Sequence, residues 1–186
     1  MTIMFQTDRL ILRPFRMEDA EVVTRWVSDR RVAEMTTLIP HPYTLDDAEE
    51  WLERVVSYDD AHGFKIFAIT LCESDELIGC IGLLREEGAP WAEFGYWLGV
   101  PFWGNGYATE ALGEILRFGF EDTGLRRIEA CHFAHNPASG RVMEKAGLRY
   151  EGTQKLRCRR DGQLFDRVNY GLIDEDWRAD RNKRRI

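Results

Sequence analysis

Residues 99–110, with the sequence GVPFWGNGYATE, combine the end of a strand, a glycine-rich turn and the start of a helix. Gly104 and Gly106 stand two positions apart, and glycine lets a backbone approach a ligand closely. The N–H groups in the first turn of a helix bind anions, helped by the helix dipole. The segment therefore predicts a backbone cradle for a pyrophosphate, although a glycine turn without a ligand would have the same local sequence.

Two other phosphate-binding motifs do not fit this segment. The dinucleotide fingerprint GxGxxG needs a third glycine where Thr109 stands, and it needs an early βαβ unit. The P-loop pattern GxxxxGK[ST] is absent from the sequence. The nature of the phosphate ligand must therefore be inferred from the elements around the cradle.

Hydrophobic periodicity predicts the elements that position this cradle. The predicted strands are residues 5–15, 64–72, 77–85, 91–100, 127–133, 149–160 and 163–173. The predicted helices are residues 17–29, 44 to about 58, 107–122 and 136–146. This order indicates an α/β (α+β) chain with a mostly antiparallel sheet in its first half.

Local signals mark several boundaries of these elements. Thr44 and Asn136 are good N-caps, and Gly147 is a typical helix stop. Asp161 and Gly162 form the strongest short turn signal in the chain and predict a final β-hairpin.

Length and composition indicate one globular domain over residues 1–186, with a tail from about residue 178 that can be flexible. With 44% hydrophobic and 31% charged residues, the composition excludes a disordered chain and a membrane-spanning protein. The first residues lack the order of a signal peptide. The cysteines fit no CxxC or zinc pattern, so we expect reduced thiols, no metal and a cytoplasmic protein; they are Cys72, Cys80, Cys131 and Cys158.

The net charge of −7 hides an asymmetry between the two halves of the chain. Residues 1–100 carry 19 acidic and 9 basic side chains, whereas residues 101–186 carry 13 acidic and 16 basic ones. Chance and a basic C-terminal tail would explain this split. The alternative is that the two halves serve two ligands of opposite charge.

Residues 103–108, WGNGYA, resemble the R/Q-x-x-G-x-G/A acyl-CoA signature of the GCN5-related N-acetyltransferases (GNAT), with Trp103 in place of Arg or Gln. The chain is similar in particular to the RimJ/RimL-type branch, which acetylates ribosomal proteins. That similarity also includes residues 7–15, 93–98 and 136–147, the pair Asp161-Gly162, Asp166 and Tyr170. Together these motifs extend over nearly all of residues 5–177.

The resemblance implies a splayed mixed sheet with acetyl-CoA in a V-shaped gap between the strands at 91–100 and 127–133. The backbone of Leu98, Gly99 and Val100 would pair with the pantetheine arm, much as an added strand would. The cradle that would hold the pyrophosphate consists of Trp103, Gly104, Asn105, Gly106, Tyr107 and Ala108.

Three further positions are implied to face the cofactor. Asn136 would face the pantetheine arm and Ser139 the region of the thiol, while Arg141 or Lys145 would approach the CoA phosphates. Simpler alternatives exist: Asn136 caps its helix, and Arg141 is a solvated charge.

The implied reaction is direct attack of an amine on the acetyl thioester, and an amine that is protonated at neutral pH needs a base. Glu93 is the candidate base, with an outward-facing strand residue as the alternative. Many GNAT enzymes use a tyrosine as the general acid where this chain has Met143, which cannot donate a proton. Ser139 is the candidate donor to the leaving thiolate, and the possible substitutes are Tyr96, Tyr107 and Tyr150.

The acceptor would lie over the two N-terminal helices, their connecting loop and the last hairpin. Residues 44–60 are rich in carboxylates, which would attract a cationic amine or form a solvated face. By resemblance the acceptor is a protein N-terminal α-amine; a polyamine, an amino sugar antibiotic or another small amine fits the same framework. A non-catalytic acyl-CoA sensor is the alternative of another class. The sequence has no surface of basic and aromatic residues typical of nucleic-acid binding, so we expect no nucleic-acid partner. No feature favours a membrane. A monomer and a homodimer are both compatible with the sequence.

Overall fold

The computed structural model describes residues 3–57 and 64–184, which form one eight-stranded sheet with helices on both faces. The strands are β1 (Phe5–Gln6), β2 (Leu10–Arg13), β3 (Phe64–Leu71), β4 (Leu77–Arg85), β5 (Trp91–Leu98), β6 (Arg127–Phe133), β7 (Arg149–Arg160) and β8 (Gln163–Ile173). The helices are α1 (Ala20–Val27), α2 (Arg30–Ala33), α3 (Leu45–Ser57), α4 (Tyr107–Arg117), α5 (Pro137–Ala146) and α6 (Asp174–Arg184). Only β5 and β6 pair in parallel within the strand order β1-β2-β3-β4-β5-β6-β8-β7, so the predicted mixed, mostly antiparallel architecture is confirmed.

The N-terminal helices cover one face of the sheet. Val23 of α1 and Leu52 of α3 are buried in the same cluster as Trp97 of β5. Thr44 and Asp47 form a capping box at the start of α3, because the Thr44 N–H and hydroxyl both donate to the Asp47 carboxylate and the Asp47 N–H donates back to Thr44 Oγ1. The predicted N-cap is therefore confirmed.

Helix α4 covers the opposite face of the sheet. Its spacing puts Leu112 and Ile115 on one buried stripe against Phe94 of β5. A single π-helical turn, Phe118–Asp122, continues the helix to the predicted end. Tyr96 also faces this side, whereas Glu93 and Trp97 face the side of α1 and α3, because successive strand residues point to opposite faces.

The sheet separates between β5 and β6. These strands pair only at Trp91–Arg127, Ala92–Ile128 and Glu93–Glu129. Beyond Glu93, β5 continues to Leu98 and β6 continues to Phe133, where β6 pairs with β8 on its other edge. The result is a V-shaped gap at the C-terminal ends of two parallel strands.

Two expectations are wrong. Residues 5–15 are not one strand: β1 pairs antiparallel with β2, since the chain reverses at residues 7–9, where the Thr7 N–H donates to the Leu10 carbonyl. The predicted order also omits the short helix α2 and helix α6, and α6 includes most of the expected tail. Trp177 holds this helix by packing against Phe120, with ring centroids 5.3 Å apart.

Candidate active site

The turn before α4 presents free backbone donors. Gly104 and Gly106 have φ values of +78° and +83°, which favour glycine. Gly106 is the N-cap, and none of the described side chains caps the helix there. The Glu110 N–H makes the first bond of the helix, to the Gly106 carbonyl at 3.1 Å. The N–H groups before it are therefore available for an anion.

Trp103 braces this turn against the end of β5. Its indole Nε1 donates to the Leu98 carbonyl at 2.8 Å, and its own carbonyl accepts from Asn105 Nδ2 at 3.1 Å. The Gly99 and Val100 carbonyls accept from residues of the following 3-10 turn. A carbonyl oxygen can accept a second hydrogen bond, so pairing of a pantetheine arm with residues 98–100 remains chemically open.

Ser139 meets Tyr96 on the α4 side of the gap. The Tyr96 hydroxyl donates to Ser139 Oγ at 3.2 Å, and both residues lie largely out of solvent. Burial raises the pKa of Tyr96 more than the hydrogen bond with Ser139 lowers it, so the phenol keeps its proton at neutral pH. Met143, in the place of the usual tyrosine acid, is 1% exposed and belongs to the core.

Asn136 is the N-cap of α5, which agrees with the simpler of its two interpretations. Its Oδ1 accepts from the Ser139 N–H at 3.3 Å. This bond ties the position of Ser139 to the start of the helix. Arg141 and Lys145 lie exposed on α5.

Glu93 lies on the other face of β5, toward the N-terminal helices. Its Oε1 accepts from Arg167 Nη2 at 3.2 Å and lies 3.6 Å from the Cys131 sulfur, while the side chain stays 39% exposed. Burial is the main cause that raises the pKa of Cys131 to about 11, so this thiol is protonated at neutral pH. Glu93 and Ser139 thus face the gap region from opposite sides of the sheet.

The two remaining tyrosines differ in their distance from Ser139 along the sheet. Tyr107 begins α4 at the cradle, with the Arg9 guanidinium 4.6 Å from its ring centroid. Tyr150 lies on the outer strand β7, exposed, with its hydroxyl 2.9 Å from Thr153 Oγ1. Tyr96 is therefore the tyrosine that the structure brings to Ser139.

The final hairpin contacts the loop that follows α2, two of the segments over which the acceptor is expected to lie. The β7–β8 hairpin turns at Asp161 and Gly162, as predicted, and Arg160 Nη1 donates to the Thr36 carbonyl at 2.6 Å. Carboxylates of α3 face solvent; those described as exposed are Asp46, Glu49, Glu50 and Glu53. Asp59 and Asp60, which belong to the same acidic run in the sequence, lie outside the described residues.

Some simpler features of the chain complete this description. All four cysteines are free thiols. Across residues 3–57 and 64–184, no three His, Cys, Asp or Glu side chains group as a metal site. Over the same ranges no helix has the length and apolar character needed to cross a bilayer.

A family model described as an acetyltransferase (GNAT) domain matches residues 9–149, well over half of the chain. The chain belongs to the GNAT family. This acetyltransferase is 31% identical over 181 residues to YdaF of Bacillus subtilis (strain 168), with 94% of this chain and 96% of YdaF covered. YdaF is described as a putative ribosomal N-acetyltransferase.

Solved structures of other acetyltransferases share the fold of this GNAT domain. The GNAT acetyltransferase from Bacillus anthracis superposes with a TM-score of 0.83 at 28% identity, covering 93% of this chain and 99% of that one. RimJ of Mycobacterium smegmatis, in complex with CoA-disulfide, gives a TM-score of 0.79 at 26% identity, covering 90% and 83%. The predicted N-acetyltransferase class is therefore confirmed.

Sequence reasoning missed two arginines of this site. Arg167 reaches Glu93 from β8, 74 positions along the chain, and Arg9 reaches the cradle from the reversal before β2. The motif at residues 7–15 was a signal for Arg9, but its contact depended on the unforeseen reversal. No local pattern marks Arg167.

Proposed function

We propose that this GNAT enzyme transfers the acetyl group of acetyl-CoA to the N-terminal α-amine of a protein, of the ribosomal-protein type, in the cytoplasm. The observation that carries the proposal is the gap between β5 and β6, with uncapped N–H groups of α4 at its end. An extended pantetheine arm has amides that can pair with an open strand edge. The similarity to YdaF supports a ribosomal-protein acceptor.

The cofactor would lie with its pyrophosphate on the turn at residues 104–108 and its arm along residues 98–100. Gly104 leaves the backbone open, because a Cβ there would meet nothing within 4 Å. Asn136 and Arg141 complete the proposed cofactor set from α5. Acetyl-CoA supplies the thioester that the amine attacks.

The proposed chemistry uses both faces of β5. Glu93 takes a proton from the acceptor ammonium, directly or through water, on the face of α1 and α3. The neutral amine nitrogen then bonds to the carbonyl carbon, the carbon–sulfur bond breaks, and the second proton of the nitrogen passes through solvent to the leaving thiolate, which departs as the CoA thiol. Ser139 donates a hydrogen bond to the leaving thiolate on the α4 face, with Tyr96 donating to Ser139 in turn. The base therefore serves the attacking nitrogen and the donor serves the leaving sulfur, each from its own face of β5.

Arg167 holds the proposed base in position. Its Nη2 donates to Glu93 Oε1 at 3.2 Å, which fixes one carboxylate oxygen and leaves the other open to an acceptor. The remaining exposure of the Glu93 side chain gives it access to water and acceptor. The acidic face of α3 would raise the local concentration of cationic amines.

An acceptor panel tests this proposal through thiol release from acetyl-CoA. The panel contains peptides with a free N-terminus, the same peptides blocked at that terminus, spermidine and an amino sugar antibiotic. Release with free peptides alone supports the proposal. Release with the small amines alone would replace the acceptor class but keep acetyl transfer, and tight CoA binding without release for any acceptor would favour the sensor.

A further inference from the structure

The reversal at residues 7–9 is attached to the first turn of α4. Thr7 Oγ1 donates to Glu110 Oε1 at 2.6 Å, and the Arg9 backbone N–H donates to the same oxygen at 2.9 Å. The Arg9 guanidinium pairs with Glu110 Oε2 at 2.7 Å. Thr7 and Arg9 therefore both bind the Glu110 carboxylate, which lies more than 100 positions further along the chain, just after the cradle.

Arg9 also contacts the cradle itself. Its Nη1 donates to the Asn105 carbonyl at 3.1 Å, and a Cβ built on Gly106 would lie 3.5 Å from its Nη2. Carbonyl and N–H point in opposite directions across a planar trans peptide. Because the Asn105 carbonyl points at Arg9, the Gly106 N–H points away from Arg9.

Glu110 creates an electrostatic conflict that Arg9 relieves. Burial alone would raise the Glu110 pKa, but hydrogen bonds from Thr7 and Arg9 outweigh it and hold that pKa below its ordinary value. Glu110 is therefore negatively charged at neutral pH, within the helix turn that the proposed pyrophosphate would approach. An unpaired carboxylate there would repel a polyanion and oppose the helix dipole's attraction for it.

We propose that Arg9 is a positioning residue for the CoA pyrophosphate: it orients the Gly106 amide through the Asn105 carbonyl and neutralises Glu110. The inference rests on the proposed acetyl-CoA site. It gives Thr7 and Arg9 of the N-terminal motif a function in cofactor binding. Since half of the Arg9 side chain is exposed, at 49%, this role depends on ionic strength.

Binding of CoA and of pantetheine to Arg9→Met, measured by calorimetry, tests this role. We expect CoA binding to weaken about fivefold at low salt, with a smaller difference at high salt, because a charge at a helix N-terminus is worth about 1 kcal/mol. Pantetheine lacks the pyrophosphate, so its affinity stays unchanged. Arg25→Met, which removes one positive charge from an exposed position on α1, is the matched control and should bind CoA as the wild type does.

Two further variants keep the test decisive if Arg9→Met is poorly folded. Arg9→Lys keeps the charge but cannot span Glu110 and Asn105 as the guanidinium does, so we expect an intermediate loss. Adding Glu110→Gln to Arg9→Met removes the unpaired carboxylate and should recover about half of the lost affinity on a logarithmic scale. Equal binding by Arg9→Met and Arg25→Met, equal losses for CoA and pantetheine, or no recovery in the double variant would overturn the inference. A wild-type protein that fails to bind CoA would instead overturn the proposed cofactor site.

Discussion

Replacing Tyr96 with Phe removes one oxygen atom from the proposed donor side of the reaction. The phenol donates to Ser139 Oγ at 3.2 Å, and its raised pKa keeps it protonated through the neutral and mildly alkaline range. In Tyr96→Phe, Ser139 loses this donor and its hydroxyl hydrogen is no longer directed toward the thiolate. The ring remains to stack beside Phe94, so the core contact survives.

The size of the effect follows from the worth of one hydrogen bond. A buried neutral hydrogen bond contributes about 0.5–1.5 kcal/mol, which converts to a loss of about twofold to tenfold in kcat. The KM for acetyl-CoA should stay unchanged, because Tyr96 does not touch the proposed pyrophosphate cradle. The loss should be the same from pH 7 to pH 9, since the Tyr96 phenol stays neutral across that range.

Thiol release with a saturating acceptor measures this prediction in a double-mutant cycle. Ser139→Ala should lower kcat at least as much as Tyr96→Phe, and the double variant should be no slower than Ser139→Ala, because Tyr96 acts through Ser139. Tyr150→Phe, on the outer strand, is the matched control and should be neutral. An unchanged kcat in Tyr96→Phe, or losses that add in the double variant, would refute the series arrangement.

Two other predictions concern the base and the cradle. Glu93→Gln should lower kcat by a factor of about 10²–10⁴ near neutral pH, and the rate should recover partly at alkaline pH, where the free amine needs no base. The control is Glu129→Gln, which changes the residue paired with Glu93 on β6. A wild-type rate at every pH would remove Glu93 from the mechanism. Gly106→Ala should weaken CoA binding and cost about 1–2 kcal/mol of unfolding free energy, because alanine is strained at φ +83°. Gly113→Ala, within α4 and with open space around a Cβ, should instead stabilise the fold in thermal unfolding, and equal behaviour of the two variants would contradict the assigned strain.

Features with a local cause could be predicted from the sequence. The Asp161-Gly162 hairpin needs two residues that tolerate positive φ, and both have it, at +48° and +77°. The start of α5 needs an N-cap and the end a glycine, which Asn136 and Gly147 supply. The cradle glycines were found for the same reason, since the turn depends on its own residues.

Features with a long-range cause could not be predicted in the same way. The alternation of apolar and polar residues over 5–15 continues through the reversal at residues 7–9, so the pattern does not reveal it. Glu110, which accepts hydrogen bonds from this reversal, lies about a hundred positions away. The contact between Glu93 and Arg167 depends on the register of β6 with β8 and on how far β5 separates from β6. Helix α6 has a very polar composition and relies on one buried tryptophan, so its periodicity carries little signal.

The separation of β5 from β6 also determines how the two halves of the sheet are joined. Among the described residues, the ladder that joins the strands β1–β5 to the strands β6–β8 consists of three residue pairs. A pantetheine arm paired with residues 98–100 would fill the gap and shield the facing edge of β5 from solvent exchange. Bound cofactor would therefore add to the short contact between the two halves of the sheet.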